Sequence, residues 1–124
     1  MLVPSERYLE RIRTIEEKVE ASLREAGMSF ERGGVVVCRN RKKAYISFFV
    51  KTNGKRIAVL VRLHRTVRLH EVVELMAMPA HGVVLVVPNR PMPEHVIEIA
   101  RKHGIEVCRP EGVPDAVRRL ASEQ

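Results

Sequence analysis

The chain has 124 residues, 45% of them apolar and 30% charged, with a formal net charge of +7. This length and composition suit one folded domain with its own core and exclude a disordered tail. No apolar run approaches the roughly 20 residues of a bilayer-crossing helix, and no long apolar stretch follows a basic start, so neither a membrane span nor a secretory signal is expected.

Ser5 ahead of Glu6 reads as a helix N-cap with an acid in the first turn. Tyr8, Ile12, Ile15, Val19 and Leu23 recur at three- to four-residue spacing, and Gly27 follows. That pattern predicts an amphipathic helix over 5–26 with one apolar stripe. The stripe packs on a sheet or pairs with a partner helix. Three strands are expected next, over 35–38, 44–51 and 56–63, with a polar turn at 40–43. Asn53-Gly54 is a strong hairpin signal, because both central residues of a type I′ turn need positive φ. A two-residue loop there sets Thr52 opposite Lys55, Phe49 opposite Ala58, Ser47 opposite Leu60 and Tyr45 opposite Arg62. Alternation then puts Ile46, Phe48 and Val50 with Ile57, Val59 and Val61 on a core face. Tyr45, Ser47, Phe49 and Lys51 share the other face with Arg56, Ala58, Leu60 and Arg62, apolar in the middle and basic at its ends.

The remainder alternates helix and strand. Thr66 to Met78 has helical spacing and stops at Pro79. The run 82–87 reads as a strand buried on both faces. A rigid loop covers 88–92, a helix runs from Pro93 to His103 ahead of Gly104, a strand spans 105–108, and a short helix spans 114–122. The chain is thus one domain, 1–124: an N-terminal helix (5–26), an α/β core (33–110) and a C-terminal helix and tail (111–124). The fold class is α/β with a mixed sheet, in the order α-β-β-β-α-β-α-β(-α). Cys38 and Cys108 fall in strand-like runs and are expected to be buried thiols in a reducing cytoplasm. Gly33-Gly34 precedes a strand rather than a helix, so it is no dinucleotide loop.

Charge is segregated along this order. From Glu31 to His70 there are 11 basic residues and a single acid, Glu31. Such a field suits a polyanion. Arg39, Arg41, Lys42 and Lys43 at the first turn, Lys51, Lys55 and Arg56 at the second, and Arg62, Arg65 and Arg68 beyond the third strand are the expected phosphate contacts. Tyr45 and Phe49, on the mixed face, are candidates for stacking on bases, whereas Phe48 belongs to the core. Asp115 is the one aspartate, and the basic middle offers no pair of carboxylates to hold Mg²⁺. His64, His70 and His81 with Glu71 and Glu74 are the remaining metal-ligand candidates. His70 and Glu74 are four apart on a predicted helix and can share a face, but two residues do not make a site, so no metal and no cofactor is expected. Scarce Asn and Gln beside plentiful Arg, Glu and Val give a heat-adapted look.

This succession of elements resembles the core of the PD-(D/E)xK nuclease superfamily, which includes restriction endonucleases, archaeal Holliday-junction resolvases and Mrr-like enzymes. The likeness covers about 28–110. It is closest in Gly82-Val-Val-Leu-Val-Val-Pro followed by Met92-Pro-Glu-His-Val-Ile-Glu-Ile-Ala-Arg-Lys-His-Gly-Ile-Glu-Val-Cys. The resemblance implies a restriction-endonuclease-like core. It also implies a motif of aspartate on the second strand and Glu/Gln-x-Lys on the third. The matching positions here are Ser47, Leu60 and Arg62. The two carboxylates are absent, and Arg62 stays protonated, able to hold a phosphate but not to act as a base. A metal-free RNA-cleaving trio of Tyr45, Arg62 and His64 is a further constellation, similar in residue types to tRNA splicing endonucleases.

The expected function is nucleic-acid binding, to DNA or RNA, on a nuclease-like fold without catalytic residues. Two other readings stand beside it: an assembly subunit that docks to itself or to a partner through the N-terminal helix, and a nuclease with a non-standard site. The expected location is cytoplasmic, with no membrane partner.

Overall fold

The computed structural model describes residues 5–63, 69–88 and 93–122. Helix α1 (Glu6–Glu25) starts where Ser5 Oγ accepts the Tyr8 backbone N–H at 3.3 Å. That bond satisfies one of the orphan donors of the first turn. Ile12, Ile15, Val19 and Leu23 are buried along one stripe, each contributing roughly 1.5–3 kcal/mol by leaving water. The stripe packs on a sheet, with Phe48, Val50, Ile57 and Val59 among its neighbours in the core. It is consumed there, so the apolar side of α1 offers no surface for a partner helix.

Strands β1 (Ser29–Val37) and β2 (Lys43–Thr52) pair antiparallel, and β2 turns into β3 (Lys55–Val61) through Asn53 at φ 52° and Gly54 at φ 72°. Next come α2 (Leu69–Leu75), β4 (Gly82–Val86), α3 (Glu94–Lys102), β5 (Ile105–Cys108), a 3₁₀ turn (Pro110–Gly112) and α4 (Val113–Ser122). The five strands lie in the order β1-β2-β3-β4-β5, with β3, β4 and β5 mutually parallel. β4 is buried at every position, as a strand covered on both faces must be. Val113, Ala116, Val117 and Leu120 of α4 join α1 on one face. Val72, Leu75 and Met78, in and just after α2, and Ala100 of α3 cover the other.

One irregularity shapes this sheet. Strict alternation puts Ile46 and Phe48 on the same face. In the structure Phe48 and Val50 join the core under α1 and α4, while Ala44, Ile46 and Phe49 join the core under α2 and α3. The alternation therefore slips by one at Ser47. Opposite it, the β1–β2 register passes from Arg32↔Phe48 to Gly34↔Ile46 without pairing Gly33 to Ser47. Gly33 permits the slip: a Cβ there would overlap the Ile46 carbonyl oxygen and lie 2.8 Å from the carbonyl carbon. Gly34 takes φ 131° beside it. On its other side β2 loses β3, because their ladder stops at Phe48↔Val59. The distal half of the β1–β2 hairpin leaves the plane of the sheet and rests on the residues after α2. There Cys38 Sγ lies 3.7 Å from Met78 Sδ, and the Arg39 N–H donates to the Ala77 carbonyl at 2.9 Å.

Several expectations are corrected by these facts. Ser47 does not face Leu60, and Tyr45 does not face Arg62, because the ladder ends before either pair. Ile46 lies on the face opposite to Phe48. β1 starts at Ser29 rather than Val35, because the glycine pair sits inside the strand. α3 begins at Glu94, with Pro93 as its extended N-cap (φ −53°, ψ 137°). Thr66, where the second helix was expected to start, and 89–92 of the rigid loop lie outside the described residues. Cys38 is buried and Cys108 half-buried, and both are free thiols. Burial pushes the Cys108 thiol up to about 12 and raises that of Cys38.

Gly33→Ala is expected to cost about 2–3 kcal/mol or more, since the clash is with backbone rather than a side chain that can turn away. Urea unfolding monitored by circular dichroism measures it. A midpoint equal to the parent's means that the strands do not cross as closely as described.

Candidate functional site

The basic residues of the first turn share one hairpin tip. Arg39, Arg41, Lys42 and Lys43 are all exposed. The tip is held firmly. The Cys38 N–H donates to the Lys42 carbonyl at 2.8 Å, the Arg41 N–H to the Cys38 carbonyl at 2.9 Å, and the Lys42 N–H to Asn40 Oδ1 at 3.1 Å. Arg41 sits at φ 67°, in the left-handed region that a non-glycine residue enters at a cost of about 1–2 kcal/mol. These bonds fix the backbone that carries four cations. Lys42 Nζ comes within 4.0 Å of Glu74 Oε1 on α2.

The second basic group is at the far end of the sheet. β2 runs ten residues from Lys43 to Thr52, about 30 Å of extended strand. Lys51 Nζ lies 3.9 Å from Glu31 Oε1. Arg56 is half-buried, with its guanidinium 3.6 Å from the centroid of the Phe49 ring. Its N–H donates to His81 Nδ1 at 2.9 Å, and the His81 N–H returns a bond to the Arg56 carbonyl at 2.8 Å. Lys55 is also half-buried. Phe49 is only 3% exposed, so it is a core side chain capped by Arg56 and not a platform for bases.

The motif positions have unlike surroundings. Ser47 is buried at the slip, with Oγ lacking a hydrogen-bond partner among the described residues. Leu60 is buried in the core under α2 and α3. Arg62 follows the end of β3, its N–H donating to the Val86 carbonyl at 2.9 Å. Its guanidinium forms an ion pair through Nη2 with Glu71 Oε2 of α2, and both side chains are largely buried, at 22% and 13% exposure. Arg62 Nε is also buried, without a partner among the described residues. Leu60 carries no metal-ligating atom. Arg65, Arg68 and His64 lie outside the described residues.

Tyr45 points the other way, toward α1. Its hydroxyl donates to Glu16 Oε2 at 2.8 Å, and Arg32 Nη1 lies 3.7 Å from Glu16 Oε1. Glu16 is 1% exposed. Tyr45 and Arg62 therefore serve opposite faces of the sheet, which breaks the expected Tyr–Arg–His trio. Burial first, and then the Glu16 carboxylate, push the Tyr45 phenol up to about 12. At neutral pH the phenol keeps its proton, donates a hydrogen bond to Glu16 and is no base. Tyr45 is half-buried and its hydroxyl is engaged, so it is not an open platform for stacking.

Three acids thus organise this part of the molecule: Glu16 and Glu106, which the sequence did not single out, and Glu71, which it offered only as a metal-ligand candidate. Glu16 stands four residues after Ile12 and three before Val19, on the apolar stripe itself, and that spacing was the available signal. Glu71 gave none beyond helical spacing. Glu106, 1% exposed on β5, accepts from Arg101 Nε and Arg119 Nε, each at 3.0 Å, and is a structural clamp between α3 and α4. At the end of the sheet where β3 terminates, the Tyr8 hydroxyl accepts the Leu63 N–H at 2.9 Å, and Ser5, Arg7, Tyr8 and Arg11 line a depression of about 310 Å³. His70 is exposed on α2. No three His, Cys, Asp or Glu side chains gather among the described residues.

No protein-family model matches the sequence, and no curated protein matches it. Two solved structures share its fold. One is a protein of unknown function, AF1548, with a TM-score of 0.58 and 13% identity over 75% of this chain. The other is protein VC1899 from Vibrio cholerae, with a TM-score of 0.55 and 11% identity over 86% of this chain. The chain spans 56% of the first and 31% of the second. No helix among the described residues is long and apolar enough to cross a membrane.

Tyr45 is expected to stay un-ionised at pH 11 in an ultraviolet titration of the native protein. Its folded value lies above the ordinary 10.0, so its contribution to stability is whole below pH 10 and is lost as pH rises toward about 12. Tyr45→Phe removes that part of the pH dependence. Ionisation of both tyrosines by pH 10.5 would contradict the Glu16 contact.

Proposed function

We propose that this protein binds nucleic acid through the tip of the β1–β2 hairpin and does not cut it. The observation that carries the reading is the tip itself: Arg39, Arg41, Lys42 and Lys43 exposed on a backbone fixed by its own hydrogen bonds. Phosphate contacts supply most of the affinity of such interfaces, and cations on a pre-set backbone lose little entropy on binding. The scaffold is read as nuclease-like. The element succession and the five-stranded mixed sheet support that reading, as does the slip at Ser47, where the second and third strands part. The residues at the family's carboxylate positions, Ser47 and Leu60, supply no pair of charged oxygens for a divalent ion. Arg62 lies at the same end of the sheet as the tip. The Lys51, Lys55 and Arg56 group lies at the other end and contributes long-range field more than contact.

A second reading, self-assembly, draws on a different observation. β1 is an edge strand, and Val35 and Val37 on it are 57% and 61% exposed. Open edges bearing exposed apolar residues are templates for pairing with another strand. Sedimentation velocity with and without an oligonucleotide separates the two: the main reading requires a complex with the oligonucleotide, whereas the second requires an oligomer indifferent to it.

About four phosphate contacts predict that log K falls with log salt at a slope of roughly −3 to −4. Replacing Arg39, Arg41, Lys42 and Lys43 together by Ala is expected to lower affinity about 100-fold at low salt and to flatten the slope toward zero. Replacing Lys51, Lys55 and Arg56 leaves the slope within about one unit. Fluorescence anisotropy over a salt series measures both. Binding that ignores salt, or none at low salt, contradicts the reading.

A further inference from the structure

Both acids on α2 point at cations of the proposed phosphate-binding end. Glu71 pairs with Arg62, and Glu74 Oε1 lies 4.0 Å from Lys42 Nζ. The two acids are three residues apart, so they share one helix face. They are also the first acids after the segment from Arg32 to His70, which has none.

The Arg62 pair is incomplete in a way that favours a different occupant. A guanidinium presents five donors in a planar fork. Glu71 engages Nη2, whereas Nε is buried without a partner among the described residues. A buried donor left empty costs about 1–3 kcal/mol. A phosphate can place two oxygens on the Nε–Nη2 edge at once, which a carboxylate bound at Nη2 alone does not do. The backbone at Arg62 is fixed by its bond to Val86, so the side chain is rooted on the sheet. The helix that carries the acids is lightly anchored. It is seven residues long, Val72 and Leu75 are buried among its described side chains, and Val73 is 63% exposed.

We propose that α2 is a built-in competitor for phosphate: Glu71 and Glu74 occupy Arg62 and Lys42 in the free protein, and the phosphodiester backbone displaces them on binding. This rests on the reading of the hairpin end as a nucleic-acid surface. Release of the carboxylates couples binding to a shift of α2 away from β3. Affinity in the resting protein is held below what the cations alone would give.

The test is anisotropy with labelled single-stranded and duplex oligonucleotides at one low salt concentration, using Glu71→Gln, Glu74→Gln and the double variant. Gln keeps the shape of Glu and removes its charge. Glu71→Gln is expected to raise affinity about fivefold and the double variant about tenfold or more. Glu98→Gln, on the exposed side of α3, reports the general effect of removing one negative charge and should change affinity less than twofold. The gain should vanish when Arg62 and Lys42 are both replaced by Ala, because a field effect would survive that change and competition would not. Gains equal to that of Glu98→Gln, or undiminished in the Arg62/Lys42 background, overturn the competitor while leaving the binding reading intact. If the parent binds weakly and the double variant binds well, the proposal is supported in its strongest form. If neither the parent nor any variant binds, both the competitor and the surface it guards are overturned.

Discussion

The close crossing of Gly33 over the Ile46 carbonyl is the constraint on which the rest of this structure depends. Two strands of ordinary residues cannot approach so tightly, because a Cβ would occupy the space of the neighbouring backbone. With glycine there, β2 turns its side chains by one position at Ser47 and parts from β3. From that slip follow the departure of the hairpin, the packing of Cys38 against Met78, and the placement of four cations on a projecting tip. The opposite orientations of Tyr45 and Arg62 follow as well. A flat continuation of the ladder would have set those two side by side.

Three carboxylates drawn into the described part of the molecule each meet a partner there. Glu16 receives the Tyr45 hydroxyl and faces Arg32, Glu106 receives two arginines, and Arg62 holds Glu71. Removing charge from water costs several kcal/mol per ion unless partners replace the solvent. These pairs add little net stability but fix geometry: Glu16 ties α1 to β2, and Glu106 ties the edge strand to helices on both faces. Arg62–Glu71 differs from the other two, because Arg62 Nε is buried without a partner among the described residues.

Much of this fold was legible in the chain. The stripe on α1, the Asn53-Gly54 turn and the unbroken apolar run of β4 are local signals, set by backbone geometry and periodicity within a few residues. What was not legible depended on contacts between distant residues. Alternation is a sound rule within one strand, but the slip at Ser47 is decided by Gly33, fourteen positions away. Reading the glycine pair as a boundary rather than as part of β1 hid that event, and with it the true orientation of Ile46 and Tyr45. The buried glutamates were missed for a related reason. Their burial is licensed by Tyr45, Arg101, Arg119 and Arg62, which meet them only in the folded chain. The basic segment was visible as a charge count, yet its division between two ends of the sheet required the strand directions.

The proposed phosphate-binding surface lies at the end of the sheet that carries the β1–β2 tip, and amide chemical shifts during titration with a short oligonucleotide test it directly. The largest changes are predicted for Arg39 to Lys43 and for Arg62, with Thr52 to Arg56 nearly still. Changes concentrated at the Asn53-Gly54 end, or spread evenly over both ends, would contradict it.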